Sequence, residues 1–593
     1  MLGIQLLLLT GIPLILTVLA TPVVLRFADA YGLFDMPGQR HIHTKPTPRL
    51  GGVAMVLGFL VTMVGAVRLS VLSPPLTRLL AVSVVMFVMG VWDDVRQLRA
   101  STRLLIQIGC AIFSVCSCGL VLNELVLTPD LSVALPPVLG VALAAFVIVG
   151  AINAVNMVDG MDGLAGGVVL ICLALLTYLH IQTSGNLQVA LFVSMPIVGV
   201  LLGFLRYNTH PARIFMGDGG SNWLGYVVGV MMLIVLSRIS IDLLPNGRWG
   251  FVRGALSGTG GMTPTAQDRS VPFLSVICCL AIPVIDTATV IMARLRHGLS
   301  PLAADRRHFH HSLLRLGLTQ SQSVGAIYFI ALACGMVGIM PVIFPRTYFP
   351  LAPYLVFAVL CVVIPVVMSL NDQVIGRFIT RGVGLRRNDR YARPIKMMIR
   401  TLERVNRYVV YAILLGMPIF AGRVEQGVGY AAMFALALMV LAQLTGGKRG
   451  DFLNSLVFVI SAQVLLLANN QKQVLVQLNG QVVALNALYN GMFAWLAAST
   501  LVIMIMTFRR RHLIFSASDF LIVLLPLALL LVPEPYRSYY FVDIIALKGL
   551  ILFAAVQLLT RRQSSVSGKI SFVLLNALAL VTAMGVFGLR VIY

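Results

Sequence analysis

Charged residues are scarce in this chain of 593 residues, at 11% of the sequence, while hydrophobic residues make up 59%. Because a soluble domain is about a quarter charged and nearer half apolar, this composition excludes a water-soluble protein. Acids are scarcest, with 21 Asp and Glu against 44 Lys and Arg. The basic residues fall in short loops between apolar runs, so they indicate membrane orientation and no nucleic-acid partner is expected.

Cysteine is also sparse, and the eight cysteines all lie in apolar stretches. No CxxC pair stands beside a histidine, which argues against both a zinc site and a disulfide framework. The N-terminal apolar run has neither a basic leader nor a cleavage-like site. It therefore predicts a first membrane helix and not a signal peptide.

The chain has many apolar runs that are long enough to cross a bilayer. They predict an all-α, polytopic helical membrane protein with about 18 transmembrane helices, because an open sheet cannot satisfy its backbone in lipid. The predicted spans are 4–27, 51–68, 77–92, 103–122, 134–152, 164–182, 187–205, 221–237, 271–293, 323–344, 351–370, 408–421, 429–445, 453–469, 484–506, 516–532, 541–560 and 570–589.

Orientation follows from the basic residues. Most of them fall in cytoplasmic loops if the N-terminus is extracytoplasmic. The strongly basic stretch predicts a cytoplasmic linker, 372–407, which touches anionic lipid headgroups. It would separate a catalytic membrane domain, 1–371, with eleven spans from a C-terminal membrane domain, 408–593, with about seven spans and no assigned role.

Several of the scarce acids lie near the cytoplasmic ends of predicted spans: Asp93, Asp94, Asp159, Asp162, Asp218, Asp286 and Asp305. An ion or proton pathway would place acids deep within the spans. Acids gathered at the water boundary instead suit a soluble substrate that reacts with a lipid-borne one.

The first acidic motif is Gly90-Val-Trp-Asp93-Asp94. Two adjacent carboxylates repel each other, so the pair favours a nearby cation or a raised pKa for one carboxyl. The alternative is an ordinary helix end that enters water, where acids are common.

The second motif is Asn153-Ala-Val-Asn156-Met-Val-Asp159-Gly-Met-Asp162-Gly, with a polar residue at every third position. On an α-helix, this spacing predicts one wet face that sweeps about half a turn. The glycines would let a ligand approach the backbone closely. A solvated helix end with a glycine turn is the simpler alternative.

The third motif is Phe215-Met-Gly-Asp218-Gly-Gly-Ser. The following helix N-terminus would attract a phosphate, and one or two carboxylates with phosphate oxygens suffice for Mg²⁺. A turn capped by Asp218 is the alternative.

The fourth motif is Asp305-Arg306-Arg307-His308-Phe309-His310-His311. Arginines beside histidines favour a pyrophosphate, since both residue types donate charged hydrogen bonds to phosphate oxygens. A zinc site lacks the HExxH spacing or a local cysteine, and a surface cluster is the remaining alternative.

These four motifs, in this order, resemble the polyprenyl-phosphate N-acetylhexosamine-1-phosphate transferases, closest to the bacterial undecaprenyl-phosphate N-acetylglucosamine-1-phosphate branch. The loop Asp35 to Gly52 also resembles the family's first cytoplasmic loop, and the resemblance covers about residues 1–370. The arginines before the histidines favour the hexosamine branch over the muramoyl-pentapeptide branch.

The resemblance implies transfer of N-acetylhexosamine-1-phosphate from a UDP-sugar to undecaprenyl phosphate, with release of UMP, as the first step of lipid-linked glycan synthesis. It also implies residue roles. Asp218 with Asp94 would bind Mg²⁺, or Mn²⁺, and Asp93 would orient the attacking phosphate. The diphosphate would meet Asn153, Asn156 and Asp159. The uracil would meet Asp162, Asn208 and Phe215. The sugar-phosphate would meet Arg306, Arg307, His308, His310 and His311.

The expected setting is a bacterial inner membrane with a cytoplasmic active site. A carrier or flippase for lipid-linked glycans is the rival function. Its polar residues would be expected to line a path through the bilayer, whereas these concentrate on one side.

Overall fold

The structure is a computed structural model, and the chain forms two compact units, Ile4–Arg381 and Gly382–Tyr593. The described residues are 2–35, 46–69, 74–128, 131–184, 190–237, 271–296, 298, 308–315, 318–343, 352–369, 392–419, 424, 426–444, 452–469, 475–478, 481–507, 542–562 and 564–586.

The N-terminal unit is built from helices with two short β-hairpins. Its described helices are α1 (Leu2–Tyr31), α2 (Gly51–Leu69), α3 (Pro74–Arg96), α4 (Ala100–Cys118), α5 (Pro137–Val158), α6 (Leu164–Ser184), α7 (Met195–Asn208), α8 (Gly217–Ser237), α9 (Phe273–Cys278), α10 (Ala281–Arg296), α11 (Phe309–Arg315), α12 (Gln320–Ile343) and α13 (Ala352–Ser369). A π-helical turn, Ala190–Ser194, leads into α7. The hairpins pair β1 (Phe34–Asp35) with β2 (Thr47–Pro48) and β3 (Glu124–Thr128) with β4 (Leu131–Ala134), both antiparallel.

The described part of the C-terminal unit is also built mainly from helices. Its described helices are α14 (Ala392–Ile419), α15 (Gln426–Leu444), α16 (Phe452–Asn469), α17 (Leu485–Thr507), α18 (Val542–Arg562) and α19 (Ser564–Val586). One antiparallel hairpin pairs β5 (Leu475–Leu478) with β6 (Gln481–Ala484).

Membrane spans are confirmed as the main architecture. Seven helices of the described part are long and apolar enough to cross a bilayer: Leu8–Tyr31, Pro74–Arg96, Ala100–Cys118, Pro137–Val158, Leu164–Thr183, Gly217–Ser237 and Gln320–Val342. Further apolar helices are shorter. The total of about 18 and the extracytoplasmic N-terminus stay predictions, and the predicted span 516–532 lies outside the described residues.

The predicted span 271–293 is two helices, α9 and α10, with a turn at Cys279 and Leu280. Pro283 lies in the first turn of α10, and its missing N–H removes one helical hydrogen bond at the break. The N–H groups of Cys279 and Leu280 instead bond to carbonyls three residues back. The break between α9 and α10 therefore follows from Pro283, which lacks a backbone N–H.

Helix α14 begins at Ala392, inside the predicted linker 372–407. Ile399, Glu403, Asn406 and Val410 are buried at helical spacing. This burial gives the basic segment from Ala392 a packed helical face, and the cytoplasmic linker 372–407 stays a prediction. The ranges of the two predicted membrane domains stay predictions.

Helix α8 forms the centre of the N-terminal unit, because it is buried along almost its whole length. It packs against α3 and α5. Gly225 and Gly229 allow the close approach of α5, since a Cβ there would meet the backbone of Ile152 and Ile148. The ends of α3 and α5 and the start of α8 therefore come together at one end of the unit.

Candidate active site

Asp93 lies in the last turn of α3 and is only 5% exposed. Its carboxylate accepts a hydrogen bond from the Leu98 N–H, at 2.8 Å, and pairs with the guanidinium of Arg103 on α4. The same guanidinium lies 3.7 Å from the carboxylate of Asp218 on α8. Adjacent acids favour a cation, and Arg103 is that cation.

Asp94 holds the start of α8. Its two carboxylate oxygens accept hydrogen bonds from the backbone N–H groups of Asp218, at 3.0 Å, and Gly219, at 3.1 Å. These donors are among the N–H groups that a helix start leaves without a helical partner. Asp94 is therefore a cap supplied by another helix, and Asp218 is the stronger candidate for the predicted metal ligand.

Asp218 lies in the first turn of α8, among groups from three other helices. Its Oδ1 accepts a hydrogen bond from Asn156 Nδ2 on α5, at 2.8 Å. The negative charge of Asp93 also acts on this carboxylate, and the guanidinium of Arg103 lies between the two acids. Asn156 donates to the hydroxyl of Ser221 as well, at 3.0 Å, which fixes its amide towards α8.

Two glycines make this convergence possible. Gly90 of α3 passes so close to α8 that a Cβ would lie 2.3 Å from the carbonyl oxygen of Asp218. Gly217 has φ +70°, and a Cβ there would meet the Arg49 carbonyl oxygen and the Asp94 carboxylate. Side chains at either position would push the acids apart.

One helix face was predicted to carry the four polar residues of the second motif: Asn153, Asn156, Asp159 and Asp162. This prediction is wrong, because α5 ends at Val158 and the chain then turns. Gly163, with φ +77°, belongs to that turn. Only the two asparagines lie on the helix, and they have different partners.

Asn153 donates one hydrogen bond to Gln107 Oε1 of α4 and another to the Val149 carbonyl of its own helix, both at 2.8 Å. Its amide N–H groups are thus committed inside the protein. Asn156 and Asp159, in contrast, stay beside the acids of α3 and α8.

Asp159 caps the end of α5 and is partly exposed. Burial, followed by the negative charges of Asp218 and Asp94, raises the pKa of Asp159 to about 7. The part of this shift that comes from Asp218 and Asp94 marks a place with excess negative charge, which favours a bound cation. The acids of the first three motifs therefore meet at one site.

The residues predicted to hold uracil brace a loop. Asp162 lies 2.7 Å from His210 Nδ1, and it accepts a hydrogen bond from the Ala212 N–H at 3.0 Å. Asn208, which is 2% exposed, accepts one from the Gly163 N–H at 3.0 Å. Its Nδ2 donates to a backbone carbonyl at 2.8 Å. The structure favours a bracing role for both.

Phe215 joins the third motif to the segment that leads into α2. Its N–H donates to the Pro48 carbonyl and its carbonyl accepts from the Gly51 N–H, both at 2.8 Å. Phe215 is partly exposed, and it lies three residues before Asp218 in the sequence. Phe215 thus keeps a side chain that a planar ligand could contact.

The histidine motif is anchored by a buried acid, Asp286 of α10. One of its oxygens lies 3.0 Å from His308 Nδ1, and the other accepts a hydrogen bond from the Phe309 N–H at 2.8 Å. Such a carboxylate fixes the orientation and tautomer of a histidine ring. Arg306 and Arg307 lie outside the described residues.

The three histidine rings cluster beside the turn after α5. The centroids of His310 and His311 are 4.4 Å apart, and those of His308 and His310 are 5.5 Å apart. A Cβ on Gly160 would lie 2.6 Å from His310 Nε2, so the ring packs on that turn, one residue from Asp159. The histidine motif therefore joins the acidic site.

The protonation of His310 differs from the prediction. Burial, followed by the charges of His311 and His308, lowers the pKa of His310 well below its usual range. His310 is therefore neutral near pH 7 in the protein alone, whereas a charged ring was expected, and its contact with the sugar-phosphate stays a prediction.

Three residues that hold the site were missed from sequence: Arg103, Gln107 and Asn222. Arg103 and Gln107 are polar residues four positions apart in an apolar run, which places them on one helix face. That spacing was an available signal. Nothing local marks Asn222, whose oxygen accepts a hydrogen bond from Gln107 on another helix. Asp286 was named among the boundary acids, but its bond to His308 was not predicted.

The acidic site fits a divalent cation. Among the described residues, no three Asp, Glu, His or Cys side chains form a ready-made metal cage. Mg²⁺ does not need one, because one or two carboxylates with substrate phosphates and water suffice. The carboxyl groups of Asp218 and the nearby Asp159 provide that donor set.

Comparison with known proteins places the chain among membrane transferases. The model of glycosyl transferase family 4 matches residues 76–236, which run from α3 to α8 and include the acids of the first three motifs. The histidine motif lies beyond the matched residues.

Curated relatives match over a longer range. A probable undecaprenyl-phosphate N-acetylglucosaminyl 1-phosphate transferase of Bacillus subtilis is 30% identical over 325 residues, which cover 54% of this chain and 80% of that protein. A decaprenyl-phosphate N-acetylglucosaminephosphotransferase of Mycobacterium tuberculosis is 32% identical, covering 53% and 77%. An undecaprenyl-phosphate alpha-N-acetylglucosaminyl 1-phosphate transferase of Escherichia coli is 28% identical, covering 53% and 78%.

Proposed function

The chain belongs to glycosyl transferase family 4, and from that membership we propose that it transfers N-acetylglucosamine-1-phosphate from its UDP-sugar to undecaprenyl phosphate. The products are UMP and a polyprenyl-diphospho-sugar that begins a lipid-linked glycan for the cell wall or a polysaccharide. The names of the relatives support a polyprenyl-phosphate acceptor and the N-acetylglucosamine-phosphate group.

One observation carries the proposal. The carboxylates of Asp93 on α3 and Asp218 on α8 share the guanidinium of Arg103, and Asp159 at the end of α5 lies close enough to feel the charge of Asp218. Two anionic substrates repel each other, so an acidic pocket without cations would reject both. Arg103 with a bound divalent ion offsets that negative charge and suits a diphosphate.

The contacts of each residue indicate its proposed role. Asp218 is the proposed ligand of Mg²⁺, with Mn²⁺ as a substitute, and Asn156 holds one of its oxygens in place. The ion would supply charge neutralisation of the diphosphate when bound. Arg103 would stabilise negative charge on the phosphate that leaves as part of UMP.

Asp93 is better suited to positioning than to proton removal. It is buried and ion-paired, so its carboxylate holds Arg103. A phosphate monoester, whose second pKa is about 6, reaches the attacking dianion near pH 7 with little help from a base. An oxygen of the lipid phosphate forms the new bond to the phosphorus next to the sugar. The bond from that phosphorus to the departing UMP breaks.

The neutral His310 and its neighbour His311 would close over the sugar-phosphate from the turn at Gly160. His308, oriented by Asp286, would present its Nε2 to the substrate. These groups lie at the same end of the unit as the acids. The proposed setting is therefore the inner leaflet of a bacterial inner membrane, where lipid phosphate meets a cytoplasmic nucleotide sugar.

The test is an assay of UMP release by purified protein with undecaprenyl phosphate and a panel of UDP-sugars. UDP-N-acetylglucosamine should be the best donor, and Asp218→Asn should abolish turnover with wild-type expression. Preference for the UDP-muramoyl-pentapeptide would overturn the sugar assignment. Activity retained by Asp218→Asn at saturating Mg²⁺ would remove Asp218 from the metal site.

The carrier function makes a different prediction for the same protein in sealed vesicles. A carrier would move labelled lipid-linked sugar across the bilayer without releasing UMP. That result would overturn the transferase proposal.

A further inference from the structure

Gln107 is a polar residue in the middle of the apolar helix α4, and only 1% of it is exposed. It lies one helical turn beyond Arg103, on the face that α4 turns towards α5 and α8. Burying an amide costs free energy unless both of its ends are hydrogen-bonded. Both ends of Gln107 are bonded.

The bonds of Gln107 form a chain with a direction. Asn153 Nδ2 donates to Gln107 Oε1 at 2.8 Å, and Gln107 Nε2 donates to Asn222 Oδ1 at 3.3 Å. Asn222 Nδ2 then donates to the backbone carbonyl of Asp218 at 2.8 Å. Three amides from three helices thus lead to the backbone of the proposed metal ligand.

The direction of the chain fixes the orientation of each amide. If Asn222 turned its amide over, its oxygen would face the Asp218 carbonyl and its nitrogen would face the Gln107 nitrogen, so both contacts would become repulsive. Because Gln107 occupies the acceptor of Asn222, it holds the Asn222 donor on Asp218. The first turn of α8 is thereby held in one geometry.

We propose that Gln107 is a positioning residue, which sets the geometry of Asp218 for divalent cation binding through Asn222. This inference rests on the proposed function, in which Asp218 binds the ion. Gln107 itself touches no substrate, so its effect is on metal affinity and on the activity that depends on it. A merely structural glutamine would affect stability alone.

The chain offers a matched control on the same pair of helices. Ser114 of α4 is buried and its hydroxyl lies 2.9 Å from the hydroxyl of Tyr226 on α8. Gln107→Leu and Ser114→Ala each remove one tether between α4 and α8. Only the first tether leads to Asp218.

The experiment measures Mn²⁺ affinity by electron paramagnetic resonance on the full-length protein in detergent without substrates, together with melting temperature and the Mg²⁺ concentration that half-activates UMP release. Gln107→Leu should weaken Mn²⁺ binding about tenfold, the effect of about one lost hydrogen bond, and raise the half-activating Mg²⁺ concentration in parallel. Ser114→Ala should leave Mn²⁺ affinity within about twofold of the wild type.

A double variant tests the route. If Gln107 acts through Asn222, adding Gln107→Leu to Asn222→Ala should weaken Mn²⁺ binding no further. Equal loss of melting temperature in the Gln107 and Ser114 variants, with unchanged Mn²⁺ affinity, would overturn the proposal. If Gln107→Leu does not fold, Asn222→Ala alone must weaken Mn²⁺ binding for the proposal to stand. A wild type that binds Mn²⁺ but releases no UMP would instead defeat the proposed function.

Discussion

The guanidinium of Arg103 on α4 pairs with the carboxylate of Asp93 on α3. It also lies 3.7 Å from Asp218, so one cation serves acids on two other helices. The planar fork of an arginine can reach two carboxylates at once, whereas a lysine presents a single compact charge.

Two substitutions of Arg103 should distinguish the contribution of its charge from that of its planar geometry. Arg103→Lys keeps the charge and should lower kcat/KM for the UDP-sugar about 10- to 100-fold while the melting temperature changes little. Arg103→Leu should also destabilise the protein, because it leaves Asp93 buried without its cation. Steady-state kinetics and thermal unfolding measure both effects. Wild-type kcat/KM in the lysine variant would contradict this role.

The cap that Asp94 provides predicts a loss of stability. Asp94→Ala removes both acceptors from the start of α8 and should cost about 1–2 kcal/mol of unfolding free energy. Asp218→Asn is the control, because its backbone N–H keeps its bond to Asp94. Thermal melting should therefore drop for the first variant and stay at the wild-type value for the second. Equal melting temperatures would argue against the cap.

Cation binding should depend on pH through Asp159. Its pKa of about 7 means that the carboxyl holds a proton at pH 6 and is ionised at pH 8. Because a bound cation favours the ionised form, Mn²⁺ affinity should rise about tenfold from pH 6 to pH 8. The measurement is a series of Mn²⁺ titrations across that range. Asp159→Asn should bind more weakly and with a shallower pH dependence, and an unchanged slope would exclude Asp159 as the titrating group.

The pair of Asp286 and His308 predicts an effect through the histidine tautomer. Asp286→Asn can still accept the Phe309 N–H, but its amide would donate to His308 Nδ1 and force the other tautomer. Turnover should fall at least about tenfold with little change in melting temperature. The matched test is a His308→Gln background, in which Asp286→Asn should cause no further loss. A further loss there would mean that Asp286 acts elsewhere.

Helix positions were predictable from sequence because apolar runs and polar breaks are local signals. The predicted span 164–182 corresponds to α6, Leu164–Ser184, and 323–344 to α12, Gln320–Ile343. The end of α5 was missed because a polar residue at every third position favours a helix through Asp162, whereas the chain turns from Asp159 to the glycine at 163. Glycine chemistry was the better guide there.

The acids of the site were named from sequence, but not their partners. Nothing near Asp94 in the sequence indicates that its hydrogen-bond donors are 124 and 125 residues away. Gln107 was missed for the same reason, since its role depends on amides from two other helices. Local patterns identify the reactive residue types, whereas the division between binding and bracing needs the packed helices.

The cap on α8 has a consequence for how the protein is made. Asp94 leaves the ribosome long before the residues that engage it, and Asn156 precedes its partner Asp218 by 62 residues. A nascent chain that has inserted only its first five helices therefore holds acids without a pocket. Under the proposed function, sugar transfer would therefore require α8 to be synthesised and docked.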